Sequence, residues 1–114
     1  MATWEDVRRI AAALPDVEES TSYGKPAFKI KGRAFVNTSR EQDAIFLRCD
    51  DEEAELLIRA RPDVYFLTPH YEGWGVLLRL SAADDDELAG AIEDSYALQR
   101  DKPPLRPRHR NSRP

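Results

Sequence analysis

The sequence predicts an α+β fold, a two-layer sandwich in which helices cover one face of an antiparallel sheet. Three observations predict it. Apolar residues recur at helical spacing in three separate segments. Strand-like segments follow one another on connections too short for a crossover helix. The elements then fall in the order α-β-β-β-α-β-β-α, which closes most simply as one sheet under one layer of helices.

The first helix is read over about 4–14. Thr3 is placed as its N-cap, Glu5 and Asp6 suit the positive end of the helix dipole, and Val7, Ile10, Ala11 and Leu14 form the buried stripe. Pro15 ends the helix by pushing Leu14 out of helical geometry. A strand over 27–31 follows from Phe28 and Ile30 alternating with Ala27, Lys29 and Lys31. Gly32 then supplies the positive φ of a tight turn into a second strand over 33–37. After a polar loop at 38–43, residues 44–49 read as a third strand. Asp50 caps a second helix over 51–60, whose apolar face is Ala54, Leu57 and Ile58, and Pro62 closes it. Strands over 64–67 and 74–80 flank the loop at 68–73, and alternation in the later strand places Trp74, Val76, Leu78 and Leu80 on one face. Acidic residues at 84–87 open a third helix over 84–99, with Leu88, Ala91, Ile92, Ser95 and Gln99 on its inner face. Residues 1–100 are thereby assigned to the folded domain, and 101–114, rich in proline and arginine, to a disordered basic tail.

With 114 residues, 41% hydrophobic and 33% charged, the chain has material for one modest core and a well-solvated surface. No apolar run approaches the ~20 residues of a bilayer span, and Met1–Asp6 has neither the basic nor the apolar region of a signal peptide. No membrane association and a cytoplasmic setting are therefore expected. Cys49 is the only cysteine, which excludes an intrachain disulfide and a cysteine-rich metal cluster. The net charge of −4 hides a strong asymmetry. Residues 25–48 carry six basic and two acidic side chains, 49–99 carry three and thirteen, and 100–114 carry six and one. Such polarity bears on partners more than on fold.

Residue chemistry points away from an enzyme. A thiol dyad would have to pair Cys49 with His70 or His109, but Cys49 ends an apolar strand, where cysteine commonly serves as a small hydrophobe. His70 and Glu72 give at most two ligands for a metal that needs three or four. The acidic pairs open helices, where the dipole accounts for them. No catalytic residue, metal or cofactor is assigned. Basic surface is the stronger signal: Lys25, Lys29, Lys31 and Arg33 in the first hairpin, with Arg106, Arg108 and Arg110 in the tail, are the candidate nucleic-acid contacts. The alternative is a solubilising edge pattern and an inert tail. Tyr23, with His70, Tyr71 and Trp74 of "TPHYEGW", forms a second candidate, a small-ligand pocket. Against it stands a loop that merely anchors Tyr71 and Trp74 on the core.

Four segments carry a family likeness: "ALPDVEES" at 13–20, "YGKPAFKIKGRAFV" at 23–36, "TPHYEGWGVLLRL" at 68–80 and "DELAGAIEDSYALQ" at 86–99. Over about residues 3–100 the chain resembles the MmcQ/YjbR family of small bacterial proteins. The framework Gly24, Pro26, Phe28, Gly32, Phe35 is the most specific part, and Arg33 stands where members often carry lysine. The resemblance implies a fold similar to that of secretion chaperones and a DNA-binding role. It brings no catalytic residues with it, and Gly24, Pro26, Phe28, Gly32, Trp74 and Tyr96 map first as fold determinants, the aromatics filling core. A non-enzymatic DNA-binding protein, monomeric rather than oligomeric, is the leading expectation. A protein-interaction or chaperone-like module using the sheet face is the alternative.

Overall fold

The computed structural model describes residues 2–22, 24–41 and 43–102. Its elements are α1 (Trp4–Ala12), β1 (Val17–Ser22), β2 (Lys25–Ile30), β3 (Arg33–Thr38), β4 (Ala44–Arg48), α2 (Asp51–Ala60), β5 (Tyr65–Phe66), β6 (Gly75–Arg79) and α3 (Asp85–Arg100), with a 3-10 turn at Leu80–Ala82. The strands form one sheet in the order β1-β2-β3-β4-β6-β5, every neighbouring pair antiparallel. The α+β class and the single helical layer are as the sequence predicts. The tail cations Arg106, Arg108 and Arg110 lie outside the described residues, as does Tyr23.

Period-two alternation sorts the sheet into two faces. The row Phe28–Val36–Leu47–Val76, and beside it Ile45, Leu78 and Tyr65, meets Val7 and Ala11 of α1, Ala54 of α2 and Leu88, Ile92 and Tyr96 of α3 in one buried cluster. The intervening row Ala27–Asn37–Phe46–Leu77–Phe66 faces the other way. On this open face only a small apolar cluster forms, made by Ala44, Phe46 and Leu77 under Tyr71 of the loop between β5 and β6.

The hairpin β2–β3 turns on Lys31 and Gly32, with φ of 55° and 81°. Two consecutive positive φ values define the turn that matches strand twist, and glycine adopts its second position without strain. Beyond the turn the register slips between Phe28 and Lys29, so that Phe35 is an extra residue on β3. This bulge lets Phe35 and its neighbour Val36 both enter the helix-side core. It also leaves β3 carbonyls without ladder partners, and α3 satisfies them. Ser95 Oγ donates to Phe35 O at 2.6 Å while accepting the Arg48 amide at 2.8 Å, and Gln99 Nε2 donates to Ala34 O at 2.7 Å. Tyr96 adds an edge-on contact to Phe35 and a hydrogen bond from its hydroxyl to Pro15 O. The inner face read for the third helix is thus the face that locks the bulge.

Three expectations are corrected. The order gains a strand, becoming α-β-β-β-β-α-β-β-α, because β1 pairs with β2 along its whole length. Its polar composition, Val17-Glu-Glu-Ser-Thr-Ser22, gives no apolar alternation to detect, and its pairing is supplied by the neighbour. The first helix stops at Ala12 rather than near 14, leaving Leu14 in a turn and half-buried. Finally, β6 starts at Gly75, so Trp74 does not continue the alternation of Val76 and Leu78 and does not fill core. It is 65% exposed.

Candidate functional site

The open face carries a concavity of about 740 Å³, and it unites the two candidate sets that the sequence keeps apart. Lys25 at the start of β2 lines it together with His70, Tyr71 and Trp74 of the β5–β6 loop. Arg40, just after β3, and Arg48, at the end of β4, add two guanidinium groups. Among the described lining residues there is no carboxylate. Three permanent cations and a histidine thus surround a concavity whose remaining walls are aromatic or neutral.

Local chemistry fixes the loop. Tyr71 packs against Phe46 with ring centroids 4.6 Å apart, and its hydroxyl accepts the Arg40 amide at 2.8 Å. His70 lies edge-on to Tyr71, and Arg40 Nη1 approaches His70 Nδ1 at 3.2 Å. A guanidinium only donates, so a hydrogen bond here uses Nδ1 as the acceptor. The Arg48 guanidinium lies 4.8 Å from the Phe46 ring centre, a cation–π distance that ties this charge to the floor of the concavity. Gly75, where the loop gives way to β6, lies so close to β4 that a Cβ there would stand 1.9 Å from Leu47 O. The loop therefore anchors on the sheet through Tyr71 alone of the two residues that the plainer reading named, and Trp74 is left exposed.

One buried polar atom faces the same space. Asn37 is 7% exposed and donates from Nδ2 to Thr38 O at 2.7 Å, while its Oδ1 has no protein partner. Buried acceptors are normally satisfied by protein or ordered water, so this one calls for a donor that the protein itself does not supply.

The other predicted cations disperse. Lys29 shares the open face, directly opposite Glu18 of β1, and does not line the concavity. Lys31 turns away altogether: its Nζ donates to Arg100 O at 3.3 Å, placing a cation at the negative end of α3. Arg33 opens β3 opposite Ile30 and does not line the concavity. Of the hairpin cations, Lys25 alone reaches the site. Asn37 escaped sequence reading because a polar residue late in a strand looks like a strand end. Arg40 escaped because it sits in a loop without pattern.

A second crevice, of about 510 Å³, opens on the helix side between α2 and α3 and has the opposite character. Asp50, Glu53, Asp86, Glu87 and Asp94 line it together with Cys49. Burial, and then the carboxylates of Glu53, Asp50 and Asp51, push the Cys49 thiol up to about 12, so it stays protonated and inert near neutrality. Cys49 and His70 line different cavities and form no dyad. Tyr65, donating to Glu87, is likewise raised, first by burial and then by that carboxylate. No group of three or more potential metal ligands occurs among the described residues, nor does a helix long and apolar enough to cross a membrane.

Comparison with known proteins gives a consistent set of likenesses. The YjbR family model matches residues 12–98. The Mycobacterium tuberculosis protein Rv2570 and the Mycobacterium bovis protein Mb2600, both described as uncharacterized, are each 31% identical over 118 residues. Each alignment covers 90% of this chain and 92% of the relative. Among solved structures, the Deinococcus radiodurans protein DR2400, described by the family-model domain DUF419, superposes with a TM-score of 0.74 at 26% identity. That match covers 90% of this chain and 81% of the other.

Proposed function

Since this chain belongs to the YjbR family, we propose that it is a non-enzymatic DNA-binding protein whose contact surface is the open face of the sheet. The observation that carries this reading is the separation of charge across the sheet. Lys25, Arg40 and Arg48 converge on the open face, whereas most of the carboxylates of residues 49–99 lie on or beside α2 and α3, behind the sheet. The strongly acidic middle of the sequence therefore does not oppose a polyanion approaching from the open side. Phosphate neutralisation at such a surface supplies affinity that needs no sequence readout, and the tail arginines Arg106, Arg108 and Arg110 add to it.

Titration of labelled duplex and single-stranded DNA at two salt concentrations tests the reading. Three phosphate contacts predict a slope of log K against log salt of roughly −2 to −3, and Lys25→Gln or Arg40→Gln is expected to reduce its magnitude by about 0.7 to 0.9. Absence of binding to either DNA at low salt refutes it.

A further inference from the structure

Resting on the DNA-binding reading, we infer that the ligand of the open-face concavity is an unpaired nucleotide within a single strand, its base stacked on Trp74 and its phosphates held by Lys25 and Arg40. Two requirements of the site lead there. The cations demand a ligand with negative charge. The buried Asn37 Oδ1, without a protein donor, is met best by a ligand that also brings a hydrogen-bond donor. A phosphodiester brings charge but no donor. A nucleotide brings both, because each base carries a ring or exocyclic N–H on its Watson–Crick edge.

Trp74 decides between paired and unpaired states. Its indole is 65% exposed at the mouth of the concavity, beside the Tyr71–Phe46 pair. Bases inside a duplex have both faces covered by their neighbours and present only groove-edge amino N–H groups. They offer no face to Trp74 without leaving the stack. An unpaired base offers its face and its Watson–Crick edge together, and an aromatic platform flanked by cations is the arrangement that holds single strands. Space agrees: about 740 Å³ falls within the range of small-ligand sites and suits one or two nucleotides rather than a double helix.

The experiment uses the full chain with three probes: a mixed-sequence DNA strand of about eight nucleotides, the same sequence joined to its complement as a hairpin duplex by a non-nucleotide linker, and deoxycytidine monophosphate. Binding is followed by anisotropy and by tryptophan fluorescence at about 50 mM salt. Trp4 is packed against Phe28 and contributes a constant background. The strand is expected to quench Trp74 emission and to bind at least about tenfold more tightly than the hairpin. Trp74→Ala, a change at an exposed position, is expected to weaken strand binding roughly tenfold to a hundredfold and hairpin binding far less. Equal affinity for hairpin and strand, with Trp74→Ala silent, overturns the inference while leaving DNA binding intact. Mononucleotide binding as tight as the strand overturns the assignment to a polymer. Failure of every probe overturns the inference together with the reading it rests on.

Discussion

Replacing Ser95 with alanine is expected to destabilise the domain far more than loss of one hydroxyl suggests. Ser95 is 1% exposed, and its hydroxyl closes two gaps at once, donating to Phe35 O and accepting from the Arg48 amide. The β3–β4 ladder pairs only Val36 to Thr38 with Ile45 to Leu47, so neither backbone group finds a replacement in the sheet. Each buried group left unsatisfied costs about 1–3 kcal/mol, and modest relaxation around the alanine brings the pair to about 2–4 kcal/mol. Against a total of about 5–15 kcal/mol for an ordinary domain, that is a large fraction. Urea unfolding followed by circular dichroism measures it. With a slope near 1.3 kcal/mol per molar, the midpoint falls by roughly 1.5–3 M. Gln99→Ala is expected to cost less, about 1–2 kcal/mol, because one bond to Ala34 O is lost. A Ser95→Ala midpoint within about 0.4 M of the parent refutes the reasoning that α3 completes the hydrogen bonding of the bulge.

Three further outcomes are expected. Gly75→Ala places a methyl where Leu47 O stands and is expected to cost about 3 kcal/mol or more; a thermal midpoint unchanged within error contradicts the close approach. Tyr71→Phe removes the acceptor of the Arg40 amide but keeps the packing on Phe46. It is expected to cost about 1 kcal/mol and to speed amide exchange at Arg40; unaltered exchange there counts against the anchor. At pH 8, folded Cys49 is expected to react with iodoacetamide on the order of a thousandfold more slowly than in urea. Because its folded pKa is raised, the stability carried by the protonated thiol is intact below about pH 8.5 and is lost as pH climbs toward 12. Cys49→Ala therefore flattens the alkaline decline, and identical declines in the two proteins refute the shift.

Parts of this molecule were legible before the structure because a single local rule decided them. The Lys31-Gly32 turn needs positive φ, and the residues flanking it alternate, so the hairpin had one solution. Ser95 and Gln99 fell on the inner face of the last helix by spacing alone. The purpose of those polar groups did not follow, since it depends on a bulge created by pairing across strands. β1 was invisible for a related reason: an edge strand with one apolar residue is defined by its partner, not by its own pattern. The site was half legible. Its residue types stood out in two separate stretches, but nothing local revealed that Lys25 and the loop at 68–74 share one face, or that Lys31 belongs to the end of α3. Trp74 shows the limit of periodicity, which cannot say where a strand begins.

The division of charge between the two sides of the sheet has a consequence for the molecule in free solution. With cations gathered on the open side and carboxylates on α2 and α3, the protein carries an electric dipole directed across the sheet. A polyanion exerts a torque on such a body before any contact forms, so the open side turns toward it within a Debye length, about 10 Å at 0.1 M salt. The same dipole sets how copies of the chain meet one another. Like sides repel and unlike sides attract, so crowding at low ionic strength favours loose, salt-reversible stacks in which the concavity of one molecule faces the helices of the next.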